Sequence, residues 1–251
     1  MLTMLEPLRR RGAPDLTVLG DARAVARHTA AWLAGKLNSG AERVRAVCLS
    51  GGTTPRLLYD ELAQPAYRDA MPWGRIHWFW GDERFVPAAD ERSNYRTVQE
   101  RLFERVPVKR EFIHPIPTEN GIVSAAAAYE RELKRFYGAA TLEPGRPLFD
   151  LTLLGVGADG HTASLFPGSP LLKERARWVA HVAGEAVSRI TLTYPALESS
   201  RDVAFLVTGA EKREIMQRIV GGETEAPAAM LRPVGRVHWF LDRAVAPGDP
   251  V

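Results

Sequence analysis

The chain has 251 residues, 45% of them apolar and 25% charged, and a formal charge of only +3. Those proportions belong to an ordinary folded protein with room for a real core, and they exclude disorder as its main state. Basic residues are scattered, with only Arg9, Arg10 and Arg11 in a run, which argues against a nucleic-acid surface.

Strand-like and helix-like segments alternate along the chain. Residues 16–19 read as a short strand, and Asp21 caps a helix predicted over 22–37. A buried strand over 44–49 precedes a helix opened by Pro55 and running to 62. A third strand spans 76–80, and helices follow over 95–103 and 124–137. Further strands are expected at 149–154, 179–182, 189–193, 203–207 and 237–241, with a short helix after Gly168 and another over 211–220. This alternation predicts an α/β fold, a largely parallel twisted sheet with helices on both faces. Residues 1–14 read as a frayed N-terminal segment and 15–251 as one domain. The stretch 74–79 resembles 235–240, which reads as two similar buried strands because the flanking sequence does not repeat.

No apolar run reaches the length of roughly 18 residues that a membrane span needs, and residues 1–14 lack a signal-peptide pattern. Cys48 is the only cysteine, so no intramolecular disulfide is possible. Its apolar neighbours mark it as a small buried hydrophobe. The expectation is a cytoplasmic protein, a monomer or small homo-oligomer.

In parallel sheets ligands bind beyond the carboxyl ends of the strands, and three loops there carry chemistry. Ser50-Gly51-Gly52-Thr53-Thr54-Pro55 lies between a strand and a helix. Its glycines admit a close ligand, and free N–H groups at the helix start favour an anion. It lacks the Gly-Lys-Ser/Thr of a Walker loop and the Gly-x-Ser-x-Gly elbow of a serine nucleophile. The second loop, Gly81-Asp82-Glu83-Arg84 with Asn94 beyond it, sets Arg84 near an anionic or oxyanionic substrate, and Asp82 and Glu83 around sugar hydroxyls. A surface ion-pair cluster is the plainer alternative.

The third loop runs from Gly155 to Pro167. Gly155, Gly157 and Gly160 match a dinucleotide fingerprint literally, and Glu185 lies near the spacing of a ribose acid. Pro167 and Gly168, however, stop the helix such a site requires after about one turn. Asp159 and His161 offer a better reading. A neutral imidazole can take a proton from water attacking a carbonyl, and flanking glycines leave it accessible. His28 and His181 read as structural. Arg189 and Lys212, each a surface charge if taken alone, complete a phosphate clamp with the Ser50 loop.

Together these motifs resemble the 6-phosphogluconolactonase family, from the Ser50 loop through Gly81-Asp82-Glu83-Arg84 to Trp239-Phe240-Leu241-Asp242. The run from Gly157 to Gly168 is the most specific part. The resemblance implies a Rossmann-like fold of the sugar-phosphate isomerase type with a few extra strands. It implies hydrolysis of 6-phospho-D-glucono-1,5-lactone in the pentose phosphate pathway, with a small phosphorylated sugar lactone as partner, no nucleic acid or membrane, and no metal or organic cofactor. The related glucosamine-6-phosphate deaminases carry a catalytic Glu five residues after the histidine, where this chain has Phe166. A non-catalytic sugar-phosphate-binding regulator is a further alternative, although no DNA-binding helix pair is evident before Leu16. Asp159 is expected either to orient His161 or only to shape the turn. Arg84 or N–H groups near Gly52 are expected to stabilise the oxyanion.

Overall fold

A computed structural model describes residues 15–39, 44–184, 186–222 and 225–246. The segment 1–14 and Glu185 lie outside the described residues. Six strands form one parallel sheet in the order β1-β9-β8-β5-β2-β3: β1 (Asp15–Leu19), β2 (Arg45–Leu49), β3 (Ile76–Trp80), β5 (Phe149–Leu154), β8 (Ser200–Val207) and β9 (Arg236–Asp242). The remaining three make a small antiparallel sheet, β4 (Asp82–Arg84), β7 (Arg189–Leu192) and β6 (Val179–Val182), in that order. No described helix is long and apolar enough to cross a membrane.

The expected α/β architecture is present, with two differences. The strands near 179 and 189 belong to the small sheet. The segment 82–84, read as loop, is a strand pairing antiparallel with β7. Its three charged residues carry no apolar period, so only the partner strand reveals it.

Helices cover both faces because side chains alternate along each strand. On one face Trp32 of α1 (Ala22–Asn38) packs edge-on to Phe240. There also α2 (Thr53–Leu62) lies against α1, and Tyr95 of α3 (Asn94–Arg101) meets Trp80. On the other, Phe136 of α4 (Ile122–Tyr137) packs on Phe79. The Asp21 cap appears as expected, accepting from the Ala24 N–H at 2.7 Å. The outer edge of β3 is closed by Tyr129, whose hydroxyl accepts from the Trp80 N–H and donates to its carbonyl. Covering that edge removes a free strand from solvent. His28 sits edge-on to Phe240, a packing role. Cys48 is fully buried, and burial pushes its thiol up, which keeps it inert.

Beneath β3, His77 Nδ1 lies 2.8 Å from His114 Nε2, and His114 Nδ1 lies 2.8 Å from Glu132 Oε1. Phe112 and Phe136 flank the His77 ring. Burial and the neighbouring His114 hold His77 down at about 4, against the upward pull of Glu111 and Glu132. An unfolded histidine titrates near roughly 6.5. Between those values the unfolded chain binds more protons, so stability is present above pH ~6.5 and is lost as the pH falls toward 4. Denaturant unfolding at pH 7 and pH 5 should show a loss of roughly 1–2 kcal/mol after allowance for partial solvation. His77→Gln should flatten that dependence, and an unchanged slope in the variant would refute the assignment.

Candidate active site

The chain moves from β2 outward to β3, then back across to β5 on the other side of β2. This reversal is the switch point at which open α/β sheets bind ligands. The loops after β2 and β5 both open there, into a cleft of about 450 Å³. Ser50, Gly51, Gly52, Thr53, Asp82, Arg84, Asn94, His161, Arg189 and Lys212 all line it.

Helix α2 begins at Thr53, two residues before the expected proline start. Its N-cap is Gly52, at φ +109°, and no side chain caps it. The first N–H groups therefore remain free for a ligand. Gly51 is bare for a different reason: a Cβ there would come within 2.0 Å of Asn94 Oδ1. The Ser50 hydroxyl is buried without a hydrogen-bond partner among the described residues, although it borders the cleft. Buried hydroxyls are normally satisfied, so a cleft ligand is its natural acceptor or donor. Thr54 and Thr208 join hydroxyls at 2.6 Å, tying the first turn of α2 to the loop after β8.

The histidine loop supplies both members of the Asp159–His161 pair from one turn. Asp159 Oδ1 accepts from the His161 backbone N–H at 3.1 Å and lies 2.6 Å from the ring Nδ1. Asp159 thus shapes the turn and orients the ring. Partial burial opposes its ionisation, but the His161 N–H and ring hold its carboxyl below the usual value. An ionised carboxylate only accepts, so Nδ1 is the ring nitrogen that donates to it. Gly157 makes room for this pair, since a Cβ there would meet His161 Nδ1 at 2.0 Å and Asp159 Oδ1 at 2.5 Å. The Phe166 ring packs beside the imidazole, with centroids 4.7 Å apart.

Asp82 is buried and accepts from the Ser164 hydroxyl at 2.6 Å, and its Oδ2 lies 3.8 Å from Arg189. Arg84 and Arg189 are register partners on β4 and β7. Like charges placed directly across a strand pair repel, so this wall favours an anion. Desolvation lowers the Arg189 guanidinium, with Asp82 opposing and Arg84 adding. Arg84 donates to the Arg92 carbonyl at 2.7 Å. Lys212 lies in the turn that follows β8 and lines the cleft, its backbone N–H donating to the Gly209 carbonyl at 3.0 Å.

Glu83 is the one expected ligand that the structure places away from the cleft. It is 1% exposed and does not line the cleft. Its carboxylate accepts from the N–H groups of Arg84, Asn94 and Tyr95, each at 2.7 Å, and from the Ser93 hydroxyl at 3.1 Å. Burial raises its carboxyl, and these N–H groups pull it back. Every acceptor position is occupied, so Glu83 caps α3 and has nothing to offer a sugar. Sequence reasoning also passed over Thr208 and Asp242, which line the cleft. Asp242 accepts from the Gly209 N–H at 3.1 Å and holds the turn bearing Lys212. Single polar residues at strand ends carry no signal until the strand order brings them together. Among the described residues no cluster of three or more His, Cys, Asp or Glu side chains is placed to hold a metal ion.

A parallel α/β sheet with a cleft and a carboxylate-anchored histidine at its switch point places the chain among the open-sheet α/β proteins that bind ligands there. The chain belongs to the family described as glucosamine-6-phosphate isomerases/6-phosphogluconolactonase, whose model matches residues 20–239. A 6-phosphogluconolactonase of Synechocystis sp. is 40% identical over 202 residues, covering 78% of this chain and 81% of that protein. Another, from Streptomyces coelicolor, is 37% identical over 248 residues, covering 93% and 94%. The crystal structure of 6-phosphogluconolactonase from Thermotoga maritima matches with a TM-score of 0.78 at 31% identity, over 91% of this chain and 99% of that one.

Proposed function

We propose that the protein hydrolyses 6-phospho-D-glucono-1,5-lactone to 6-phosphogluconate, as a single-domain, metal-independent, cytoplasmic enzyme of the pentose phosphate pathway. One observation carries the reading: Asp159 fixes His161 by Nδ1, which leaves Nε2 as a base in a cleft with an anion cradle. The substrate phosphate rests on Ser50, Gly51, Gly52 and Thr53, with Arg189 and Lys212 as counter-charges. His161 Nε2 removes a proton from water as the oxygen attacks the lactone carbonyl. Arg84, or N–H groups near Gly52, stabilises the tetrahedral oxyanion. Collapse breaks the bond to the ring oxygen, which takes the proton back from the imidazolium. The new carboxylic acid then ionises to solvent. Asp82 and Asn94 border the sugar.

A lactone is already reactive toward water, so these parts suffice. General-base help supplies about 10²–10⁴ in rate, and one oxyanion donor roughly 2.7–4 kcal/mol. The deaminase reading is disfavoured by Phe166, an apolar ring beside His161 at the position of that reaction's carboxylate. The test is acid release from freshly generated phosphogluconolactone, with glucosamine 6-phosphate as the comparison substrate. Turnover of the amino sugar alone would overturn the reading. Arg189→Ala should raise KM by about 10–100-fold, the value of a charge-assisted contact, with kcat nearly unchanged. A pure kcat loss would contradict its phosphate role.

A further inference from the structure

Ser164 has no assigned part in the chemistry, yet it is fully buried beside the cleft and makes two bonds to the opposing wall. Its hydroxyl donates to Asp82 Oδ2 at 2.6 Å, and its N–H donates to Thr191 Oγ1 at 3.1 Å. Asp82 and Thr191 are register partners on β4 and β7, so one residue grips both strands. The same Asp82 oxygen faces Arg189, two residues before Thr191 on β7. On its other side, Ser164 follows Ala163, which sits at φ +49°. A left-handed alanine costs about 1 kcal/mol or more. Such a conformation persists only when its surroundings impose it. The Thr162–Leu165 bridge and the two Ser164 bonds are those surroundings.

We propose that Ser164 is a positioning residue. It pins the loop carrying His161 to the Asp82–Arg189 wall, so that the base and the phosphate cation keep one fixed spacing. Without its hydroxyl, the strained turn relaxes and the imidazole drifts relative to a substrate still held by its phosphate. This rests on the lactonase reading for its kinetic consequence, but not for its structural one.

The experiment compares wild type, Ser164→Ala and Ser164→Thr. Ser164→Ala should lower kcat by about 10–100-fold, the cost of a misplacement on the order of 1 Å, while KM for the lactone stays near the wild-type value. Ser164→Thr, which keeps the hydroxyl, should recover part of the loss. Unchanged kcat per folded molecule, a KM effect alone, or a loss that merely follows the unfolded fraction on warming would each overturn the proposal. If Ser164→Ala does not fold, the near-isosteric Thr191→Val removes the second bond and is judged by the same outcomes. Should wild type not hydrolyse the lactone, the functional reading fails by itself. The His161 imidazole titration followed by NMR then decides this inference: a displaced midpoint in Ser164→Ala supports it, and an identical curve refutes it.

Discussion

His161→Ala is expected to lower kcat by about 10²–10⁴, the usual contribution of a positioned general base, with little loss of stability. The side chain is 32% exposed and its main contacts are Asp159 and Phe166, so its removal leaves no large cavity in the core. KM should change little, because the phosphate cradle lies on other loops. Residual hydrolysis should persist, since the cradle and the oxyanion donors still position a reactive lactone. Asp159→Asn should fall between the two. An amide can still meet Nδ1, but it no longer fixes which ring nitrogen carries the proton. Near-normal turnover of folded His161→Ala would remove the histidine from the mechanism and shift attention to Asp82.

Glu83→Ala is expected to cost at least about 3 kcal/mol, because the truncation strands three N–H groups and a hydroxyl in a buried place. For a chain of this length that corresponds to a fall in Tm of roughly 6–12 °C. Glu83→Gln should cost less, since its amide oxygen keeps part of the acceptor set while its NH₂ faces donors. Activity per folded molecule should drop as well. Arg84 and Asn94, which line the cleft, are both held through backbone bonds to this carboxylate. A Tm within a degree or two of wild type would mean that water replaces the carboxylate, and the capping role would fail.

Glu83 also shows where reading a sequence stops. A carboxylate directly after a buried strand signals function, and its neighbour Asp82 does border the cleft. Nothing in the spacing tells that Glu83 turns away to cap a helix that starts eleven residues later. The histidine loop was legible because its chemistry is local, Asp159 and His161 being two residues apart on one turn. The cleft was legible in parts, as glycines and hydroxyls at a strand-to-helix junction. Its remaining pieces come from strands far apart in the chain, and the alternation of elements does not reveal strand order. That is why Thr208 and Asp242 stayed hidden, and why 82–84 passed for loop.

The position of β9 has a consequence for how the chain is made. It inserts between β1 and β8, so among the described residues β1 has no sheet neighbour until β9 has emerged. Parallel pairing across such a separation is slow, and vectorial synthesis cannot complete the sheet progressively from the amino end. During translation α1 can pack on α2 early, but β1 must wait for β9 to be paired. The carboxylate of Asp242, at the end of that late strand, then sets the turn bearing Lys212. The turn bearing Lys212 is therefore set only once β9 has joined the sheet.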